Sequence, residues 1–263
     1  MSALVKSALS VTLAVFLLCP FPGSAAEPPA SAASGTRSVT VVTGSSTITL
    51  TLAELQKLPK IAIPGYEAVG TKRGPLGKHA WEGASLRDIL LKAAPGLDKP
   101  ESATKRIIVK SIDGWTISLK ARELFGEFTG GEALFAVKGC NECHGAGAEG
   151  SAPAGKKAAP ALKSRSLPAP LIGALLRANH GDVKFYGPDR VSEDEIAQIT
   201  AWLNAPDTAT GSFRIDPSKN RAILAWARDG QPLSPADGLI QLVVEYDQFA
   251  GRFSHWVDRI EIE

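Results

Sequence analysis

Sulfur and net charge are both scarce in this chain. It holds three cysteines and one methionine, and its formal net charge is only +2. Two of those sulfurs, Met1 and Cys19, fall in an amino-terminal stretch with the pattern of an export signal: Lys6 as a short positive region, an apolar run from Ser7 to Cys19, and the small residues Ser24-Ala25-Ala26 at a cleavage position. Leu18 stands where a lipoprotein signal needs a small residue. The expected mature chain starts at Glu27, is nearly neutral, and keeps Cys140 and Cys143 as its only thiols. A four-cysteine zinc site is then excluded, as is a structural disulfide that leaves this pair intact. The charge balance gives no reason to expect nucleic acid or a polybasic membrane contact as a partner. No later apolar run is long enough to span a bilayer, so the expectation is a periplasmic protein without a membrane span in its mature part.

What the sequence does contain is Gly139-Cys140-Asn141-Glu142-Cys143-His144-Gly145. A C-x-x-C-H run is the attachment pattern of c-type haem. Two thiols two residues apart can each add to one vinyl group of a single porphyrin, and the adjoining imidazole is placed under the iron. Half a zinc site and a redox dithiol are the competing readings. The zinc reading lacks further cysteines. The dithiol reading expects the motif to open a helix in a βαβ unit, whereas here a helical pattern precedes it and a small-residue loop follows. One covalent haem c is expected, on Cys140 and Cys143, with His144 as proximal iron ligand. Export supports the same reading, because bacterial c-type haem is attached outside the cytoplasm.

Loss of Met1 removes the only thioether, so a His/Met iron is excluded within this chain and a lower potential is expected. His180, in His180-Gly181-Asp182-Val183-Lys184-Phe185-Tyr186-Gly187, is a candidate distal ligand to the iron. Lys184, Tyr186 and an open site are the other options, and His79 and His255 read as ordinary loop or surface residues.

Along the chain, Glu27 to Thr36 is a Pro/Ala/Ser-rich lead-in. Ser38–Thr43 and Thr47–Thr51 alternate as a hairpin, and Thr51-Leu52-Ala53-Glu54 is a capping box opening a short helix. Ile61–Val69 is extended, and Thr71–His79 reads as a basic glycine-rich loop. Lys72, Arg73 and Lys78 there suit either a phosphate or solvent. Ser85 caps a helix with Leu86, Ile89, Leu90 and Ala93 on one face. A hairpin follows, turning at Asp113-Gly114. After Gly130-Gly131 the pattern turns helical: Glu132–Lys138, then Pro168–Asn179 with Leu171, Ile172, Leu175 and Leu176 apolar, then a helix capped by Ser192 with Ile196, Ile199 and Leu203. The acidic run Glu193-Asp194-Glu195 fits that helix start. From Asp207 strands return: Ala222–Ala227, a turn at Asp229-Gly230, Leu239–Tyr246 and Trp256–Ile262.

Two resemblances organise these segments. Residues 130–206 resemble a small monohaem cytochrome c. Beyond the motif, Gly131 and Phe135 match the small-then-aromatic pair at which the first helix of such a domain crosses its last. Trp202 matches the aromatic residue of that last helix, and Pro160-Ala161-Leu162 matches the proximal proline loop. The flanks resemble the molybdopterin-binding fold of the sulfite oxidase type. The matching segments are Leu50–Leu55 with Leu58-Pro59, Trp81-Glu82-Gly83 into Leu86–Leu90, Asp113-Gly114-Trp115, Ile223–Ala225 through Asp229–Leu233, Asp237-Gly238, and Trp256–Ile260.

Together they imply an α+β chain in which an all-α cytochrome c domain is inserted into a discontinuous β-rich sulfite oxidase-like domain. Its parts are a signal peptide (1–26), a lead-in (27–36), the outer domain (37–128 and 207–263) and the cytochrome domain (129–206). Enzymes of the sulfite oxidase type hold molybdenum through a protein cysteine. Haem uses both thiols of the mature chain, so the outer domain is expected to be a scaffold without molybdenum or molybdopterin. No catalytic acid–base set is evident. The expected function is single-electron transfer with a redox partner protein, a periplasmic oxidoreductase or carrier. The alternatives are a molybdopterin-dependent oxidoreductase fused to its cytochrome acceptor, and a haem-based ligand-binding sensor.

Overall fold

The computed structural model describes residues 38–70, 74–126, 128–150, 159–163, 165–178, 190–205, 211–216, 219–249 and 252–263. The expected export segment and lead-in, Lys72, Arg73, His180, Val183, Lys184 and Tyr186 lie outside the described residues.

β1 (Ser38–Val42) and β2 (Thr47–Thr51) form the expected hairpin, with Val39 opposite Leu50 and Val41 opposite Ile48. The capping box opens α1 (Leu52–Leu55): the Glu54 N–H donates to the Thr51 hydroxyl (3.2 Å) while the Glu54 carboxylate accepts from the Thr51 N–H (2.8 Å). β3 (Lys60–Gly70) and β4 (Gly74–Ser85) pair as a long antiparallel ribbon. Here the expectation of a loop through His79 is corrected, because Gly74–His79 is the first half of β4. Tyr66 opposite His79 and Glu67 opposite Lys78 hold the register. Backbone pairing with β3 outweighs the weak strand preference of the glycines, and two irregularities in register absorb the misfit.

α2 (Leu86–Ala93) buries Leu86, Ile89, Leu90 and Ala93 as its periodicity requires. β5 (Arg106–Ser111) and β6 (Thr116–Lys120) turn at Gly114, whose φ of 85° suits glycine. α3 (Ala121–Phe125) follows directly.

Four helices come next: α4 (Gly130–Val137), α5 (Asn141–His144), α6 (Ala169–Arg177) and α7 (Glu193–Asn204). The capping box of Ser192 and Glu195 starts α7. α4 crosses α7 at Gly131, where a Cβ would lie 2.0 Å from the Gln198 carbonyl oxygen and 2.8 Å from the Trp202 Cβ. Only glycine fits. The apolar face expected of α6 is divided: Ile172 and Leu176 pack near Val191 and Ile196, but Leu171 and Leu175 remain 44% and 47% exposed.

β7 (Ala222–Arg228), β8 (Gln231–Pro232), β9 (Gln241–Val244) and β10 (Val257–Ile262) complete two five-stranded sheets. β9 is shorter than the apolar run around it, because its partner β7 begins at Ala222, opposite Val244. One sheet has the order β2-β1-β10-β5-β6, with β10 parallel to β1 and antiparallel to β5. In the other, β3, β4, β7 and β8 run in order and β9 also pairs with β7.

Val39, Val41, Leu86, Leu90, Ile107, Leu119, Leu224 and Ile260 are buried in a core shared by both sheets and α2. Ile223 and Ala225 project to the opposite face of β7 and join Ile63, Trp81 and Val243 in a second cluster. The second sheet is therefore covered on both faces. At the helical segment's ends, Gly130 N–H donates to the Phe213 carbonyl (2.8 Å), and Thr129 bridges Arg214. Glu132 accepts from Lys120 Nζ (2.6 Å) and from Arg122, tying α4 to the region around α3.

Candidate functional site

Lys138 ends α4, Gly139 turns with φ 72°, and the Cys140 N–H donates to the Phe135 carbonyl (3.0 Å). Cys140 then caps the single turn α5, which the His144 N–H closes on the Cys140 carbonyl (3.1 Å). Helical spacing of three and four places Cys143 and His144 on the same side as Cys140. Both thiols are half-buried and neither is in a disulfide. Burial pushes the Cys140 thiol up to about 12. A reactive redox dithiol needs the opposite shift, toward the thiolate.

His144 is 5% exposed, and its Nδ1 lies 2.8 Å from the carbonyl oxygen of Pro160. A carbonyl can only accept, so Nδ1 carries the proton and the lone pair is on Nε2. That is the tautomer and orientation a metal-ligating imidazole takes from its neighbour. Pro160 is brought there by two backbone bonds, Gly150 N–H to the His144 carbonyl and Leu162 N–H to the Ala148 carbonyl, both 2.8 Å. Gly150 has φ 84°, and a Cβ there would lie 2.8 Å from the Ala161 nitrogen. The Phe135 ring stands between His144 and Trp202, with centroid separations of 6.4 and 5.1 Å. Arg106 reaches Glu149 at 3.8 Å, linking β5 to the loop after the motif.

The donor set suits a porphyrin better than a bare metal ion. Among the described residues, no group of three or more His, Cys, Asp and Glu side chains gathers as a metal site. His79 Nδ1 is 2.7 Å from Asp229 Oδ2, and His255 Nδ1 donates to the Asp237 carbonyl (2.8 Å).

Residues 126–203 match the family model described as cytochrome C oxidase, cbb3-type, subunit III. This segment is a c-type cytochrome domain. No curated protein matches the chain. The cytochrome domain implies a haem cofactor, suggests redox partners in general and supports haem-based electron transfer. None of the described helices is long and apolar enough to cross a membrane.

Sequence reading missed one polar cluster beside the cytochrome domain. Arg252, 1% exposed, donates from Nε and Nη2 to both carboxylate oxygens of Asp247 (2.9 and 2.5 Å) and from Nη1 to Glu123. Tyr246 Oη reaches the same Glu123 oxygen at 3.4 Å, and Tyr66 Oη donates to the Asp247 carbonyl (3.1 Å). Glu123 and Arg252 are 129 positions apart, so no local spacing announces the pair. Asp247 also lines a cavity of about 510 Å³, shared with Val137 of α4, Arg190, Arg214 and Phe249.

Proposed function

We propose that this protein is a periplasmic carrier of single electrons, holding one haem c covalently through Cys140 and Cys143 with His144 as the proximal ligand. The observation that carries this reading is the His144–Pro160 hydrogen bond beside two half-buried thiols. When bound, the haem supplies a one-electron iron couple. The chain's own residues do the rest. Cys140 and Cys143 anchor the macrocycle. Pro160 fixes the imidazole and raises its basicity through Nδ1–H. Phe135 and Trp202 give an apolar wall that keeps water away. His180 is the proposed distal ligand, with an open site as the competing assignment.

The flanking sheets are proposed to be a discontinuous sulfite oxidase-like scaffold around an inserted cytochrome domain. The position of β10 between β1 and β5 supports this, since strands from both sides of the helical segment share one sheet. The scaffold is proposed to lack molybdenum because the expected mature chain, without Cys19, keeps no cysteine outside the motif. Its partner is a periplasmic oxidoreductase or another electron carrier.

The deciding experiment is an absorption spectrum of the exported, matured holoprotein, ferrous, with and without carbon monoxide. A c-type spectrum whose haem stays with the polypeptide in acidic acetone is expected; a colourless precipitate would sink the attachment. An unchanged spectrum under carbon monoxide fits His180 on the iron, and a shifted one fits an open site. A midpoint potential typical of His/Met haem would contradict the predicted loss of the thioether. Stoichiometric molybdenum in protein from a molybdenum-replete host would overturn the scaffold reading.

A further inference from the structure

Glu123, Asp247 and Arg252 are all buried, at 1%, 5% and 1% exposure. Two carboxylates share one guanidinium, so the trio carries one surplus negative charge when fully ionised. Such a charge is costly in a poorly solvated site. Tyr66 and Tyr246 are pushed upward by burial and stay neutral, while Glu245 forms its own two-pronged pair with Arg221 (2.5 and 2.6 Å). Glu67, Asp216, Arg190, Arg214 and Lys219 face the cavity. Lys138 is engaged by Glu195 (2.8 Å).

The same trio is linked to the segment that carries the haem motif. Gln248, the residue after Asp247, donates its N–H to the Val137 carbonyl (3.0 Å) and accepts from Lys138 Nζ (2.7 Å). Lys138 lies two residues before Cys140. Asp247 also borders the roughly 510 Å³ cavity, which has room for water.

We propose that the Glu123–Asp247–Arg252 cluster takes up a proton when the haem is reduced, so that this protein moves a proton with its electron. The inference rests on haem being held at Cys140, Cys143 and His144. One electron from the redox partner would reduce the iron of a haem held there. One proton from water binds an Asp247 carboxylate oxygen and offsets the added negative charge; no other bond is made or broken. Reoxidation by the acceptor returns the proton. The Asp247 carboxyl is already raised to about 6, chiefly by burial and against the pull of Arg252, and an electron added to haem held at Cys140, Cys143 and His144 would raise it further. Proton uptake therefore belongs to the range from about 6 upward, where the oxidised protein has lost the proton and the reduced protein keeps it.

The test is a redox titration of the holoprotein at several pH values, paired with reduced-minus-oxidised infrared spectra. The midpoint potential should fall as pH rises across this range, with a limit of about 59 mV for each tenfold change in proton concentration. A protonated-carboxyl band should appear on reduction, and Asp247→Asn should remove both signals. A wild-type potential that is flat with pH, or a slope and band that survive in Asp247→Asn, would overturn the proposal and leave the haem assignment standing. Should Asp247→Asn fail to fold, Glu123→Gln provides the second variant. By removing a neighbouring negative charge it should move the sloping range to lower pH, and an unmoved profile counts against the cluster. Haem-free material would instead refute the attachment itself.

Discussion

In the sheets, Val39, Val41, Ile107, Leu119, Leu224 and Ile260 belong to one continuous apolar cluster, although Ser111 of β5 and Gln241 of β9 are buried too. In the cytochrome domain, the main cluster is Leu134, Phe135, Ala148, Ile199, Trp202 and Leu203, and polar residues are buried around it: Glu132, Lys138, Asn141 and His144. The first region excludes water with its own side chains. The second has too little apolar surface for that at its size and is organised to surround something else. The contrast teaches that one polypeptide can draw its stability from two sources, and that the sources can be removed separately.

The largest effect is expected from removing the proposed haem anchor. In exported Cys140→Ser/Cys143→Ser protein, amides of α4 and α7 should lose most of their hydrogen-exchange protection, while β1, β5 and β10 keep theirs. Equal loss in both regions would erase the distinction drawn above. Arg252→Met comes next and tests where the two regions meet. It leaves two buried carboxylates without their cation, a change that costs about 3–5 kcal/mol. Denaturant unfolding should show that loss, and both regions should respond.

Gly131→Ala confines the damage to the helices. Its Cβ would be driven into the Gln198 carbonyl, at a cost of about 3 kcal/mol through overpacking. Thermal melting followed at the haem absorbance should shift more than melting followed at the sheet. The smallest change is Ser192→Ala, which removes the hydroxyl accepting from Glu195 N–H (3.2 Å) and should cost about 1 kcal/mol. A larger penalty would mean that the start of α7 supports more than its own first turn.

Much of this was legible in the residues. Thr51 with Glu54, Ser85, and Ser192 with Glu195 mark helix starts because a cap is a local contact between near neighbours. Asp113-Gly114 and Asp229-Gly230 mark turns for the same reason, and Cys140, Cys143 and His144 show themselves by spacing alone. What stayed hidden depended on partners far along the chain. Gly74–His79 is a strand only because β3 lies beside it. Leu171 and Leu175 have the period of a buried face, yet they remain exposed. Asp247 and Glu123 become a unit only through Arg252. The Pro160 loop was matched by resemblance, whereas its 2.8 Å bond to His144 needed three dimensions to be seen.

β10 carries a consequence for biosynthesis. Thr40 pairs with Arg259 and Val109 with Ile260, so the first sheet keeps a slot in its middle until Val257–Ile262 has been made. Contacts so distant in sequence form slowly. A product cut short before Val257 would expose two facing rows of unpaired amides and carbonyls, an invitation to intrude for any stray extended strand. The order of the strands thus ties closure of this sheet to the last strand, since only a chain that has reached Ile262 can seal it.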